Sequence, residues 1–362
     1  MEIHGWQMDA VGAPLREAIR TLNPEALAPG VVLVEVAGCG VCHTDLGFLF
    51  DGVPTRHPLP LTLGHEIAGV VRHAGPGAEA WVGEAVVVPA VIPCGQCALC
   101  RAGRGAICKA QLFPGNDDHG GFASHVKVPA HGLCKVDVTR VAAAGLTLAD
   151  LSVVADAVTT PYQAILNSGL AAGDLAIFVG AGGVGSFGVQ LAKARGAKVA
   201  VLDVDPDRVE RARACGADWV ERSAGAEPRE LKKQLGAWAK AEGLPAVGWR
   251  IFETSGHPDG QALAFSLLVP GAHLGVVGYT AEKVSLRLSN LMAFDATARG
   301  TWGCLPDHYP AVVELVLSGA VDVKLLSERH PMSQINALFN ALHAGSLKKR
   351  PVLIPDFQEG GL

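Results

Sequence analysis

This sequence has no surplus of positive charge, no uninterrupted apolar run of membrane length and no internal repeat. Its 30 Lys and Arg stand against 35 Asp and Glu, a formal net charge of −5 with a pI near 6.2. That balance argues against nucleic acid or an anionic membrane as a partner. The opening MEIHGWQMDA lacks the basic end and apolar stretch of a secretory signal, so none is expected. One uncharged stretch, Leu175 to Ala192, is long enough to mimic a membrane helix, but its five glycines fit a strand, a tight turn and a helix better. Low-complexity segments are also missing. Charged residues make up only 18% of the 362 positions and apolar ones 49%, enough for a large core and, at this length, for two domains.

Cysteine, by contrast, is present nine times. Without an export signal, nine cysteines imply a reducing compartment, the cytoplasm, where thiols bind metal or stay reduced. Four of them sit in Cys94-x2-Cys97-x2-Cys100-x7-Cys108. This compact spacing suits a tetrahedral thiolate site with every position filled, so a zinc in the lobe at about 93–110 would be structural. Iron–sulfur clusters also take four thiolates, but their usual runs are spaced differently.

The texture of the chain changes near residue 156. Before it, short β-branched runs such as Val31–Val36, Ile67–Val71 and Glu84–Val88 are separated by Gly and Pro, and predict a small twisted barrel or sandwich. After it, strand-length runs at 175–179, 198–202, 217–220, 249–252, 273–277 and 298–302 alternate with segments of helical spacing at 184–195, 207–215, 229–241 and 260–268. Such alternation predicts an α/β doubly wound parallel sheet. Helix-like segments around 312–317 and 335–343 and a short run at 351–354 could close either domain.

Gly180-Ala181-Gly182-Gly183-Val184-Gly185 follows the strand-like LAIFV and opens a helical segment. In that context G-x-G-x-x-G reads as a dinucleotide fingerprint. Gly180 makes the turn, Gly182 admits a pyrophosphate, and Gly185 lets helix and strand pack closely. The helix N-terminus then faces the phosphates with unpaired N–H groups. Asp203 ends the next strand; a carboxylate there accepts bonds from ribose hydroxyls and repels a 2′-phosphate, which favours NAD over NADP.

A second metal constellation begins in AGCGVCHTDLG, residues 37 to 47. Cys42 and His65 are candidate zinc ligands, with Asp45 placed to hold the imidazole by its other nitrogen. A catalytic zinc needs a third protein ligand and an open position. Asp156, an acid in the apolar VVADAVTTPY, is either that ligand or a helix N-cap, and spacing leaves both open. A redox pair Cys39-x2-Cys42 is a further reading of the same stretch, and predicts a disulfide in place of zinc.

Taken together, G-x-x-C-H-T-D, G-H-E, the four-cysteine lobe, the glycine fingerprint and the closing Arg350-Pro351-Val352-Leu353 resemble the zinc-containing medium-chain dehydrogenase/reductase family, that of the alcohol dehydrogenases. The resemblance implies a mainly-β GroES-like catalytic domain over 1–155 and 304–362 and a Rossmann NAD-binding domain over 156–303. It implies NAD and two zinc ions per chain, a homodimer or homotetramer, and Cys42, His65 and Asp156 as ligands of the catalytic zinc. On the same basis Glu66 can approach the metal, Thr44 bonds the substrate oxygen and relays its proton, and His43 and Arg350 lie by the cofactor phosphates. Thr160 packs near the nicotinamide and Arg208 near the adenosine ribose. One position departs: Gly47 stands where many members carry the histidine that ends the proton relay.

Finer stretches, among them CHTDLGFLFDGV, PGNDDHGGFASHV and WGCLPDHYPA, resemble a member that oxidises a cyclic allylic alcohol carried as a CoA thioester. They imply a small-molecule substrate of that class. A zinc dehydrogenase of simple cyclic or allylic alcohols, and a non-catalytic NAD-binding sensor on the same fold, are the competing expectations.

Overall fold

Alternating apolar positions in the first third of the chain make half-buried strands, and those strands build one large sheet. The computed structural model describes residues 1–357. The strand Val31–Gly40 is the hub: it pairs antiparallel with Glu66–Ala74, His125–Pro129 and Arg350–Ile354. The seven-stranded sheet continues outward through Ala85–Val88 to Cys134–Lys135 and, on the other side, to Ser327–Pro331. A separate three-stranded sheet joins Arg16–Thr21, Glu2–Met8 and Leu61–Thr62. Val34, Ile67, Val86, Phe122 and Phe339 meet in the core between these elements. The C-terminal segments close this unit: Tyr309–Leu317 and Ile335–His343 are helices, and Arg350–Ile354 is a strand beside the hub. The unit comprises Met1–Thr159, Gly303–Gly319 and Val323 onward.

The second unit, Thr160–Trp302 with Ala320–Asp322, holds a six-stranded sheet. Its strands run in the order Trp219–Arg222, Lys198–Asp203, Leu175–Val179, Arg250–Glu253, His273–Val276, Thr297–Gly300. Every pairing is parallel. The doubly wound Rossmann sheet expected from the sequence is therefore present, with boundaries within two residues at most strands. Leu175–Val179 is wholly buried, as a central strand covered on both faces must be. The order reverses beside it, and its C-terminal end leads into the glycine loop.

Among the described residues, no helix is long and apolar enough to cross a membrane. The glycine-punctuated stretch from Leu175 forms the strand Leu175–Val179 and the helix Gly183–Ala194.

Candidate active site and metal centres

The lobe between Cys94 and Cys108 folds around its own sulfurs. Cys94 and Cys97 flank a turn, Cys100 lies on the four-residue helix Ala98–Arg101, and Cys108 follows a 3-10 turn. Their Sγ atoms stand 3.5 Å (Cys94–Cys108), 3.5 Å (Cys97–Cys100), 3.7 Å (Cys97–Cys108) and 3.9 Å (Cys94–Cys100) apart. A tetrahedral zinc with Zn–S near 2.3 Å calls for edges of about 3.8 Å, so the four sulfurs fit that ion. Backbone N–H groups, that of Cys100 foremost, draw the Cys97 thiol down to about 6, whereas burial and the neighbouring sulfurs push Cys100 up to about 12. Four thiolates this close need a cation among them. The donor set is complete, as in a structural zinc site, and these four cysteines would hold the ion.

The other cluster is assembled from three distant segments of the first unit. Cys42 caps the helix His43–Leu49, His65 leads into the strand Glu66–Ala74, and Asp156 follows the 3-10 helix Leu148–Ala155. Cys42 Sγ and His65 Nε2 each lie 3.6 Å from Asp156 Oδ2. Zinc bonded to S, N and O would need edges of about 3.3–3.6 Å, so these three atoms are spaced to share one ion. Neither ring nitrogen of His65 has a hydrogen-bond partner, although the side chain is buried. An orphaned buried imidazole is costly unless a metal takes its lone pair, so the residues fit zinc.

Asp45 organises both other donors. Its Oδ2 accepts from the Cys42 backbone N–H at 2.9 Å, its Oδ1 accepts from Gly64 N–H at 3.2 Å, and Oδ1 faces His65 Nδ1 at 3.4 Å. Burial disfavours an imidazolium here, yet the Asp45 carboxylate, then Asp156 and Cys42, push the His65 pKa well above its usual value. The surroundings of this imidazole favour positive charge. Phe113 packs on its ring at 4.9 Å.

Glu66 completes the cluster: one ligand atom from each of Cys42, His65, Glu66 and Asp156 lies within 4.8 Å of the others. Its Oε1 pairs with Arg350 Nη1 at 2.6 Å, and its Oε2 is buried without a partner. Burial pushes the Glu66 carboxyl upward, and Arg350 opposes it. The resemblance assigns Arg350 to a phosphate, but the structure buries it and engages Nη1 with Glu66 and the Val41 carbonyl. That salt bridge is a partner the sequence did not point to. A side chain at Gly40 would overlap Glu66 Oε2, so glycine there keeps the carboxylate in place. Thr44 is exposed beside the centre, its Oγ1 at 3.7 Å from Cys42 Sγ, and His43 is exposed next to it. Gly40 and Phe113 were not legible beforehand, because only the register of strands and loops brings them to the donors.

In the second unit the fingerprint takes the geometry its glycines allow. Gly180 sits at φ +99°, and a Cβ there would lie 2.5 Å from Ser255 N. Gly182 caps the helix Gly183–Ala194 and has open space where a side chain would be. A side chain at Gly185 would overlap the Gly180 carbonyl, so helix and strand touch there. Val184 lies in the first turn of that helix. Asp203 accepts from Ala181 N–H at 2.6 Å and from Asp205 N–H at 2.9 Å, which ties it to the glycine loop and leaves each oxygen a second lone pair. Arg208 is half exposed and reaches Asp205 at 3.6 Å, while Thr160 is buried at the start of the helix Thr159–Ser168.

Comparison with known proteins follows this division. The alcohol dehydrogenase GroES-like domain family matches residues 28–138, and the zinc-binding dehydrogenase family matches residues 183–318. This chain belongs to the zinc-containing medium-chain alcohol dehydrogenase family. An alcohol dehydrogenase of Geobacillus stearothermophilus is 27% identical over 340 residues, 93% of this chain and 96% of its own length. The crystal structure of the alcohol dehydrogenase of Aeropyrum pernix superposes with a TM-score of 0.82 at 27% identity, over 97% of this chain and all of the other. A short chain alcohol dehydrogenase from E. coli CFT073, complexed with NADH, has the same fold with a TM-score of 0.83 at 21% identity, covering 98% of this chain and 99% of its own. As a zinc alcohol dehydrogenase family member the protein is an oxidoreductase.

Proposed function

We propose that this protein oxidises a secondary, cyclic allylic alcohol to a ketone with NAD, and that Cys42, His65 and Asp156 hold the catalytic zinc. The observation that carries this reading is the trio of donor atoms around a buried, orphaned imidazole. When bound, zinc supplies a Lewis acid that lowers the pKa of a substrate hydroxyl, and NAD supplies a hydride acceptor.

The chain's own residues do the rest. Cys42, His65 and Asp156 would hold the ion with three donors and so leave it room for substrate, in contrast to the filled lobe. Thr44, exposed beside Cys42, accepts the substrate's hydroxyl proton at Oγ1 and passes its own outward. Asp45 fixes the Cys42 backbone and faces His65 Nδ1, which keeps Nε2 aimed at the metal. Glu66, steadied by Arg350, adds a buried negative charge next to the donors and balances the cation. Because Gly47 offers no side chain, His43, a ribose hydroxyl of the cofactor or water completes the proton's path. The loop from Gly180 to Gly185 receives the pyrophosphate and Asp203 the ribose, with Arg208 beside the adenosine and Thr160 toward the nicotinamide.

The substrate we favour is 6-hydroxycyclohex-1-ene-1-carbonyl-CoA, oxidised to the 6-oxo compound in anaerobic benzoyl-CoA degradation. The stretches CHTDLGFLFDGV, PGNDDHGGFASHV and WGCLPDHYPA support it by their resemblance to that enzyme. Initial rates with NAD on this thioester, on its free acid and on simple allylic alcohols test it. A kcat/KM for the thioester no higher than for cyclohex-2-enol would leave a dehydrogenase of simple allylic alcohols. NAD(H) binding without any turnover would leave a sensor. We also propose a homodimer or homotetramer. The exposed apolar side chains Tyr279, Leu288 and Met292 and the exposed edge strand Thr297–Gly300 support association. The nine cysteines fit the reducing cytoplasm.

A further inference from the structure

We propose that Tyr309 is a positioning residue for the catalytic metal: its hydroxyl holds the peptide group that aims Asp156. The inference rests on the reading of Asp156 as the third ligand. Asp156 stands just past the end of the 3-10 helix Leu148–Ala155, at φ −140° and ψ −58°, so helical geometry does not set the direction of its side chain. The Ala155 carbonyl is one of the acceptors that a helix end leaves without an internal partner. Because the peptide is planar, fixing that oxygen also fixes the Asp156 N–H and the axis on which its Cα turns.

Three groups converge on the Ala155 oxygen. The Tyr309 hydroxyl donates to it, Thr159 Oγ1 donates at 3.2 Å, and the Ala90 N–H approaches at 3.4 Å. Ala90 N–H also donates to Tyr309 Oη at 3.3 Å. Tyr309 is fully buried at the start of the helix Tyr309–Leu317, more than 150 residues from Ala155 in sequence. A phenol bonded in this way joins three separate segments at the root of one ligand. No other tyrosine in the chain is buried: Tyr162 is half-buried and Tyr279 exposed.

Tyr309→Phe removes the hydroxyl and keeps the ring. Chelator competition on the zinc-loaded enzyme should show one zinc bound about 10–100-fold more weakly, as for other groups that orient a metal ligand. The zinc of the four-cysteine lobe should keep its affinity, which gives an internal control against general unfolding. With cobalt in place of zinc, the visible bands of the open centre should shift while those of the thiolate lobe stay. Thr159→Val, which removes the second donor to the same oxygen, should weaken the same zinc by less. That variant serves as the test if Tyr309→Phe does not fold. Unchanged affinity and unchanged cobalt bands would overturn the proposal. Asp156→Asn, measured alongside, separates two failures. If it loses the open-site zinc while Tyr309→Phe does not, only the positioning role falls. If it keeps that zinc, the ligand reading falls and this inference with it.

Discussion

Two clusters of metal-binding side chains occupy the same unit of this chain and are built on opposite principles. The lobe draws all four donors from the single segment 94–108, in one element type, sulfur, with Cys94, Cys97 and Cys100 half-buried and Cys108 buried. The other candidate centre gathers sulfur, nitrogen and oxygen from positions 42, 65 and 156, with Cys42 and His65 buried and Asp156 half-buried, and is backed by Asp45, by the Glu66–Arg350 pair and by the Ala155 carbonyl. A short, self-sufficient loop needs the ion to fold at all, because little apolar surface anchors it. A centre assembled from three remote elements has the fold made for it already, and the ion can be used for chemistry. The difference teaches that completeness and locality mark a structural ion, while an incomplete set held by a second layer of hydrogen bonds marks a reactive one.

Substitutions that strike one cluster and spare the other sharpen this contrast. The largest effect is expected from His65→Ala. It should lower kcat/KM by about 10³-fold or more, since Lewis-acid activation is worth several kcal/mol, while circular dichroism reports an intact fold. Cys97→Ala should do the reverse in kind. The lobe should lose its zinc and become a site of proteolysis at 94–108, whereas properly folded molecules keep the open-site zinc; limited digestion with mass spectrometry reads this. Thr44→Val leaves every donor in place, so it should cut kcat by about 10²-fold with both zinc ions retained; a loss under threefold would mean the proton leaves without Thr44. Asp203→Gly lies in the other unit and touches no metal. It should shrink the preference for NAD over NADP by about 10-fold, read from the two kcat/KM values, through the lost repulsion of a 2′-phosphate. The smallest change is expected for Gly47→Ala, where an added Cβ meets Val53 at an ordinary 3.5 Å inside the helix that starts at His43. It should raise the thermal midpoint by about 1–3 °C through helix propensity without altering zinc content.

How much could be read in advance follows the same division. The lobe was legible from spacing because all its information is local. The Rossmann sheet was legible too, since buried parallel strands are continuous apolar runs and the fingerprint sits where strand turns into helix. Trp219–Arg222 began two residues later than its apolar pattern, because Ala217 and Asp218 belong to the turn and Asp218 accepts from Val199 N–H. At the open centre, Cys42, His65 and Asp45 stood out by type, but Asp156 looked equally like a helix cap. Only its approach to Cys42 and His65 sets it apart. The partnership of Arg350 with Glu66 across 284 residues, and that of Tyr309 with Ala155 across 154, leave no trace in local sequence. The register of the large sheet creates the first and the return of the chain after residue 303 creates the second.

The most direct test is the metal content of the purified, active protein by elemental analysis, set against that of Asp156→Asn. Two zinc ions per chain in the native protein, and one in a folded but inactive Asp156→Asn with the lobe still loaded, are what the two-centre account predicts. One zinc in both, with turnover intact, would contradict it.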